Sequence, residues 1–276
     1  ASLSVAGSPA AFFVAHNVSG IYNDPKAHGT AVLLARRSGA IGSVTDALPR
    51  LTTKDGLPDN GVDAHAMAAG DVNGDGLSDI VIGNWSAFGG GFPPVILLQQ
   101  PDGRFAATND PFLERLLSVP MVNPKSDGNE GFNLLLDLHL ADVNGDRFAD
   151  LIAGFGHGST PSLLVINKNG RFNFDERIAL PPSIYGIDTN LHMETKSADL
   201  DNDGDLDLVI NNINDIASIY QNKQRELAPE KSNYLTINLK GDTNNLTGIG
   251  AEVSVFYNKE DKQVAEQSPF RGYLST

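Results

Sequence analysis

The chain contains no cysteine, one tryptophan and three methionines. The missing thiols exclude disulfide frameworks, thiolate nucleophiles, cysteine zinc sites and iron–sulfur clusters together. Basic residues are also scarce: 20 Lys and Arg stand against 34 Asp and Glu, a formal charge of -14. Such a chain is repelled by phosphate backbones and by anionic lipid, so nucleic acid and membrane insertion are not expected. No apolar run approaches the roughly 18 to 20 residues that span a bilayer, and the opening ASLSVAGSPAAFFVAHN has no basic residues ahead of its short apolar stretch. It reads as neither an anchor nor an intact signal peptide. Beginning with Ala rather than Met, it is expected either to have lost a leader or to be part of something longer. GxSxG, GxxxxGK[ST] and HExxH are all absent. Helical periodicity is nearly absent too, with room for a turn or two only around Pro111–Val119.

What remains is a folded, 276-residue chain with 41% apolar residues and three internal repeats. Asp71-Val-Asn-Gly-Asp-Gly-Leu-Ser-Asp79 precedes IVIGN, Asp142-Val-Asn-Gly-Asp-Arg-Phe-Ala-Asp150 precedes LIAGF, and Asp199-Leu-Asp-Asn-Asp-Gly-Asp-Leu-Asp207 precedes LVINN. Each carries an acid or amide at positions 1, 3, 5 and 9 and then a strand-like apolar run. A second apolar stretch follows each (PPVILLQQ, PSLLVINK, ASIYQNK), and the first two continue into Pro101-Asp-Gly-Arg-Phe105 and Lys168-Asn-Gly-Arg-Phe172. The unit is strand, acidic loop, strand, strand, turn, strand. Residues 10 to 50 read as the same unit with its front missing: strands in AAFFVAHN, in GTAVLLARR and around Ile41–Leu48, with no acidic loop ahead. After Gln224 the pattern becomes NYLTINLKGD, GIGAEVSVFYN and KQVAEQ, which alternates as a half-exposed antiparallel sheet does. All-β is the expectation.

The acidic loops fit a hard cation. Ca²⁺ takes about six to eight oxygens at roughly 2.3 to 2.6 Å, and a tight loop supplies them from alternate side chains and a mid-loop carbonyl. The first loop offers Asp71, Asn73, Asp75 and Asp79 with the Leu77 carbonyl. The second offers Asp142, Asn144, Asp146 and Asp150 with Phe148, and the third offers Asp199, Asp201, Asp203 and Asp207 with Asp205. About three Ca²⁺ per chain are expected. Without a cation these carboxylates repel; the bland alternative is acidic turns that hold no ion. Arg147 stands where Gly76 and Gly204 sit in the other loops, so a positive φ there would strain the second site. EF-hand-type loops are the natural competitor, but they need an acid at position 12 and enter a helix. Position 12 here is Ile82, Ala153 or Ile210, each within a strand-like run.

These units resemble the FG-GAP or VCBS repeats of calcium-binding β-propellers, as in integrin α-chain heads and many secreted bacterial proteins. The tail, Asn233-Tyr-Leu-Thr-Ile-Asn-Leu-Lys-Gly241 with Gly248-Ile-Gly-Ala-Glu-Val253 and Arg271-Gly-Tyr-Leu-Ser275, resembles the ASPIC/UnbV module of cartilage-acidic-protein-like proteins. The resemblance implies β-propeller blades over 1–228 and a small antiparallel β module, expected to be truncated, over 229–276. Three full loops and a half unit fall short of the usual seven or so blades, and a closed propeller needs at least about four. The blades are therefore expected to be partial, or completed by further residues or another chain.

Other candidates are weaker. His65, His139 and His192 precede their loops by six, three and seven residues and share no register; His16, His28 and His157 have no partner at a recognisable spacing. Trp85, Phe88 and Phe92 lie in a glycine-rich insertion, readable as a platform for a sugar or peptide or as aromatics folded over a blade edge. Sequons occur at Asn17, Asn84 and Asn245, no more than chance supplies. A strand edge at residues 10 to 18 could pair with another chain. Calcium near millimolar suits extracellular sites. The expectation is therefore a secreted, periplasmic or cell-surface protein for adhesion, recognition or assembly, binding a protein or glycan at the surface or matrix. The alternatives are a lectin-like propeller and an enzyme with an unrecognised active site near His139 or His157.

Overall fold

The computed structural model describes residues 2–3, 11–16, 29–35, 41–43, 64–84, 95–108, 135–155, 162–180, 192–212, 216–229, 234–241, 245–248, 251–259 and 262–266. Their regular secondary structure is almost entirely antiparallel β. The first sheet is β1 (Ser2–Leu3), β2 (Ala11–His16), β3 (Gly29–Ala35) and β4 (Ile41–Ser43), in that order. The second is β5 (Ala64–Gly70), β6 (Asp79–Asn84), β7 (Val95–Gln99) and β8 (Phe105–Ala107). The third joins β9 (Leu135–Ala141), β10 (Asp150–Phe155) and β11 (Leu163–Val165) to β14 (Ile178–Ala179), with the hairpin of β12 (Asn167–Lys168) and β13 (Arg171–Phe172) between β11 and β14 in sequence. The fourth has β15 (His192–Ala198), β16 (Asp207–Asn212) and β17 (Ser218–Tyr220). A four-residue helix, α1 (Gln224–Leu227), leads to the hairpin of β18 (Glu252–Phe256) and β19 (Lys262–Glu266).

The first strands of successive sheets are neighbours: β5 lies against β9, and β9 against β15. Sheets so placed face one another like blades, and alternation then decides which blade each side chain meets. Every residue of β10 is buried. Leu151, Ala153 and Phe155 pack with Ala66, Ala68, Val81 and Ile96 of the second sheet, whereas Ile152 packs with Leu208 and Ile210 of the fourth. A strand covered on both faces needs an unbroken apolar run, which DLIAGF nearly is. The fourth sheet buries Leu208 and Ile210 on one side and leaves Ile219 67% exposed on the other. The fold is propeller-like, and over the described residues it does not close into a ring.

Two expectations change here. The first unit has a front after all, because Ser2 and Leu3 pair with Phe12 and Ala11. Strand β2 thus has β1 on one side and β3 on the other, and the run at residues 10 to 18 is not the edge strand it was expected to be. In the tail, 234–241 joins no ladder among the described residues, and only Glu252–Phe256 and Lys262–Glu266 pair. Its alternation is that of an exposed extended segment, with Leu235 and Ile237 facing solvent.

Irregularities recur with the repeats. The first strand of each loop-bearing sheet skips one residue in its pairing, between Ala64 and Ala66, between Leu135 and Asp137, and between His192 and Glu194. Each skip stands six residues before the first Asp of its loop. The turn from β12 to β13 places Asn169 and Gly170 at φ 52° and 83°, the double left-handed turn that Asn-Gly favours.

Candidate metal centre

All three loops span the same gap. The last residue of the first strand pairs with the position-9 aspartate that opens the second: Gly70 with Asp79, Ala141 with Asp150, Ala198 with Asp207. That aspartate braces the loop. Oδ2 of Asp79 accepts the Val72 N–H at 2.9 Å and Oδ1 accepts the Gln99 N–H at 2.9 Å. Asp150 does the same with Val143 and Asn167, and Asp207 with Leu200 and Asn222. Each N–H bond leaves lone pairs on the carboxylate for a further partner.

Inside the first loop, Asp71 Oδ1 accepts from the N–H groups of Gly74 and Asp75, and Oδ2 from Gly76. The second loop repeats this with Asp142 and residues 145, 146 and 147. The turn needs left-handed residues at positions 4 and 6: Gly74, Gly145 and Asn202 at φ 78°, 73° and 64°, and Gly76, Arg147 and Gly204 at 80°, 83° and 94°. Arg147 therefore holds the conformation that disfavours a side chain. Its guanidinium is 5.1 Å from the centre of the Tyr257 ring, a cation–π contact that offsets part of the strain.

Burial acts on the carboxylates. Desolvation pushes Asp79 and Asp150 up to about 7, against the lowering effect of their backbone N–H partners. It also raises Asp71 and Asp142, and neighbouring loop aspartates add to the effect.

The third loop differs in a telling way. Asn73 and Asn144 each donate an amide hydrogen to the aspartate two residues on, at 3.0 and 3.1 Å. Asp201 replaces them and has none to give. The loop holds its first carboxylate less fully: Gly204 N–H reaches Asp199 Oδ2 at 3.1 Å, while Asp199 Oδ1 and Asp203 Oδ2 are buried without partners. Asp199, Asp201 and Asp203 bring ligand-capable oxygens within 4.8 Å of one another. All are hard oxygen donors, the set that suits Ca²⁺ or Mg²⁺ and not a soft metal. The residues present therefore fit a hard divalent cation, and this loop fits it best.

The structure adds residues that the loop pattern did not single out. Gln99, Asn167 and Asn222 occupy equivalent positions at the end of the third strand or two residues beyond it, and their side-chain amides donate to the carbonyls of Ser78, Ala149 and Leu206. Asn167 also reaches the Val72 carbonyl at 2.8 Å, and Asn222 the Val143 carbonyl at 2.7 Å, in the loop of the preceding repeat. The signal was the amide next to last in each of the stretches VILLQQ, LLVINK and SIYQNK. The tail also meets the loops: a side chain at Gly76 would strike Lys262, one at Gly204 would strike Tyr234 and Arg225, and Tyr257 stacks on Arg147. Arg225 itself lies 4.6 Å from the Tyr234 ring centre. The position-6 residue of every loop is thus a tail contact.

Of the histidines, buried His139 pairs through Nε2 with Ser197 Oγ at 2.9 Å, joining β9 to β15. His65 falls at a pairing skip and His192 opposite Asn212, so the three share no register. Trp85, Phe88, Phe92, His28, His157 and Asn17 lie outside the described residues. No helix among the described residues is long and apolar enough to cross a membrane.

Two spans match known families: residues 142–210 match the FG-GAP-like repeat, and residues 64–91 match the FG-GAP repeat. The second and third loops lie within the first span, and the first loop within the other. These two spans are thus similar to FG-GAP-type repeats, the kind of unit that builds β-propeller blades. No curated protein matches it.

Proposed function

We propose that the chain is an extracellular recognition or adhesion protein of the calcium-binding β-propeller type, in which Ca²⁺ is structural. The ions would be held by Asp71, Asn73, Asp75 and Asp79; by Asp142, Asn144, Asp146 and Asp150; and by Asp199, Asp201, Asp203 and Asp207, each set with the carbonyl of Leu77, Phe148 or Asp205. When bound, the ion supplies positive charge that relieves the carboxylates and fixes the turn between the first two strands of a blade. The observation that carries this reading is the pair of buried, unpartnered oxygens of Asp199 and Asp203 within a three-carboxylate grouping. Such atoms are costly to bury unless something binds them.

The role is non-catalytic: the chain's own residues bind the ion, brace it through the position-9 aspartates and join neighbouring blades through Asn167 and Asn222. Three ions would move the formal charge from -14 to -8. Low cytosolic calcium would leave weak sites of this kind largely empty, which favours secretion or the cell surface. The tail resembles the ASPIC/UnbV type over 229–276, and its Tyr234, Tyr257 and Lys262 meet the loops. Counting bound ions in protein desalted from calcium tests the reading, with Asp203→Asn beside the unaltered chain. Loss of ion from the variant with the other loops still loaded supports it, and ion-free unaltered protein would sink it.

A further inference from the structure

We propose that the third loop carries a second divalent-cation site, built by the side chains of Asp205 and Glu226 together with Asp203, next to the one formed by Asp199, Asp201 and Asp203. The proposal rests on the calcium reading above and goes beyond it, because Asp205 enters that reading only through its carbonyl and Glu226 lies outside the loop. Asp203, Asp205 and Glu226 place ligand-capable oxygens within 4.8 Å of one another. Asp205 is 8% exposed, and its Oδ1 is buried without a partner, as is Asp203 Oδ2. The Arg225 N–H donates to Asp205 Oδ2 at 3.0 Å, so the unpartnered oxygen is the other one of that carboxylate. Lys223 donates to Glu226 Oε1 at 2.6 Å.

Charge points the same way. Asp199, Asp201, Asp203, Asp205, Asp207 and Glu226 bring six negative charges, and Lys223 and Arg225 bring two positive. One divalent ion leaves two negative charges and a second cancels them. The first and second loops contain their own control, since position 7 is Leu77 in one and Phe148 in the other. They can take only the single loop ion. The additional ion would tie α1, and with it the connection into the tail, to the last repeat.

Mn²⁺ is the probe, as an oxygen-preferring divalent ion that scatters anomalously. Crystals of the full chain soaked in MnCl₂ should show two anomalous peaks at the third loop, about 3.5 to 4 Å apart as in two-metal sites. They should show one peak at each of the other loops. Glu226→Gln changes an exposed residue, so the variant folds, and it should lose one of the two peaks while keeping its neighbour. A single peak at Asp199, Asp201 and Asp203 in both proteins overturns the second site and leaves the calcium reading standing. No peak at any loop overturns both.

Discussion

Asn222 and Val143 lie in different repeats, 79 residues apart, and are joined by a 2.7 Å hydrogen bond from the side-chain amide of one to the backbone carbonyl of the other. Asn167 makes the same bond to Val72 one repeat earlier, at 2.8 Å. Val72 and Val143 are the second residues of their acidic loops, and their N–H groups are held by the position-9 aspartates. One short residue therefore carries both the brace of its own loop and the link to the next blade. Loop bracing and blade packing share these residues.

Asn167→Ala should cost more stability than Asn222→Ala, because Asn167 is fully buried and Asn222 only half-buried. Removing either amide strands two carbonyls, and a buried group left unsatisfied costs about 1–3 kcal/mol. Denaturant midpoints of the two variants in calcium test the order. Equal, negligible losses would mean that the links between blades carry little of the fold.

The pH dependence follows from Asp79 and Asp150. In the calcium-free fold they keep their protons up to about pH 7, whereas the unfolded chain releases them near 3.8. Between those values the folded form binds more protons, so calcium-free stability falls as pH rises through this window. Calcium must displace the same protons, so its affinity should weaken below about pH 7 and its binding near about pH 6 should release protons. Titration calorimetry in buffers of different ionisation enthalpy measures that release.

Arg147 tests the balance between strain and stacking. Its left-handed backbone costs roughly 1–2 kcal/mol, and an exposed cation–π contact returns about 0.5–1 kcal/mol. Arg147→Gly should change stability little or raise it slightly in the unaltered chain, and should stabilise by about 1 kcal/mol or more once Tyr257→Ala has removed the contact. A double-mutant cycle on unfolding free energies reads the coupling. Additive effects would show that the tail does not rest on the second loop.

Gly204→Ala should be harsher. The residue sits at φ 94°, and an added methyl would run into the Tyr234 ring and the Arg225 guanidinium. The tail should lift from the loop, and limited proteolysis should cut within 229–251 faster than in the unaltered chain. Unchanged cleavage would place the tail elsewhere.

The features legible in the sequence are the local ones. A 1, 3, 5, 9 loop specifies its own turn, and the apolar runs of β6, β10 and β16 follow each loop directly, so both could be read from spacing. Arg147 was even recognisable as the strained member, because its two counterparts are glycines. What escaped notice depends on distant partners. Ser2 and Leu3 count as a strand only because Phe12 and Ala11 lie alongside. The 234–241 segment alternates like a strand, yet it joins no ladder among the described residues. Asn167 and Asn222 look like ordinary strand ends until the preceding blade is in place, and Glu226 enters the candidate site only because a short helix turns back onto the third loop.

The central claim is that the loops bind calcium as part of the fold, and thermal unfolding in EGTA against about 2 mM Ca²⁺, with ions counted on the same sample, tests it most directly. An ion bound only by the folded chain stabilises it by RT ln(1 + [L]/Kd), about 2.7 kcal/mol per site at a hundredfold excess over Kd. The account predicts a clear rise in melting temperature and at least three ions per chain. Identical melting curves with no bound ion would contradict it.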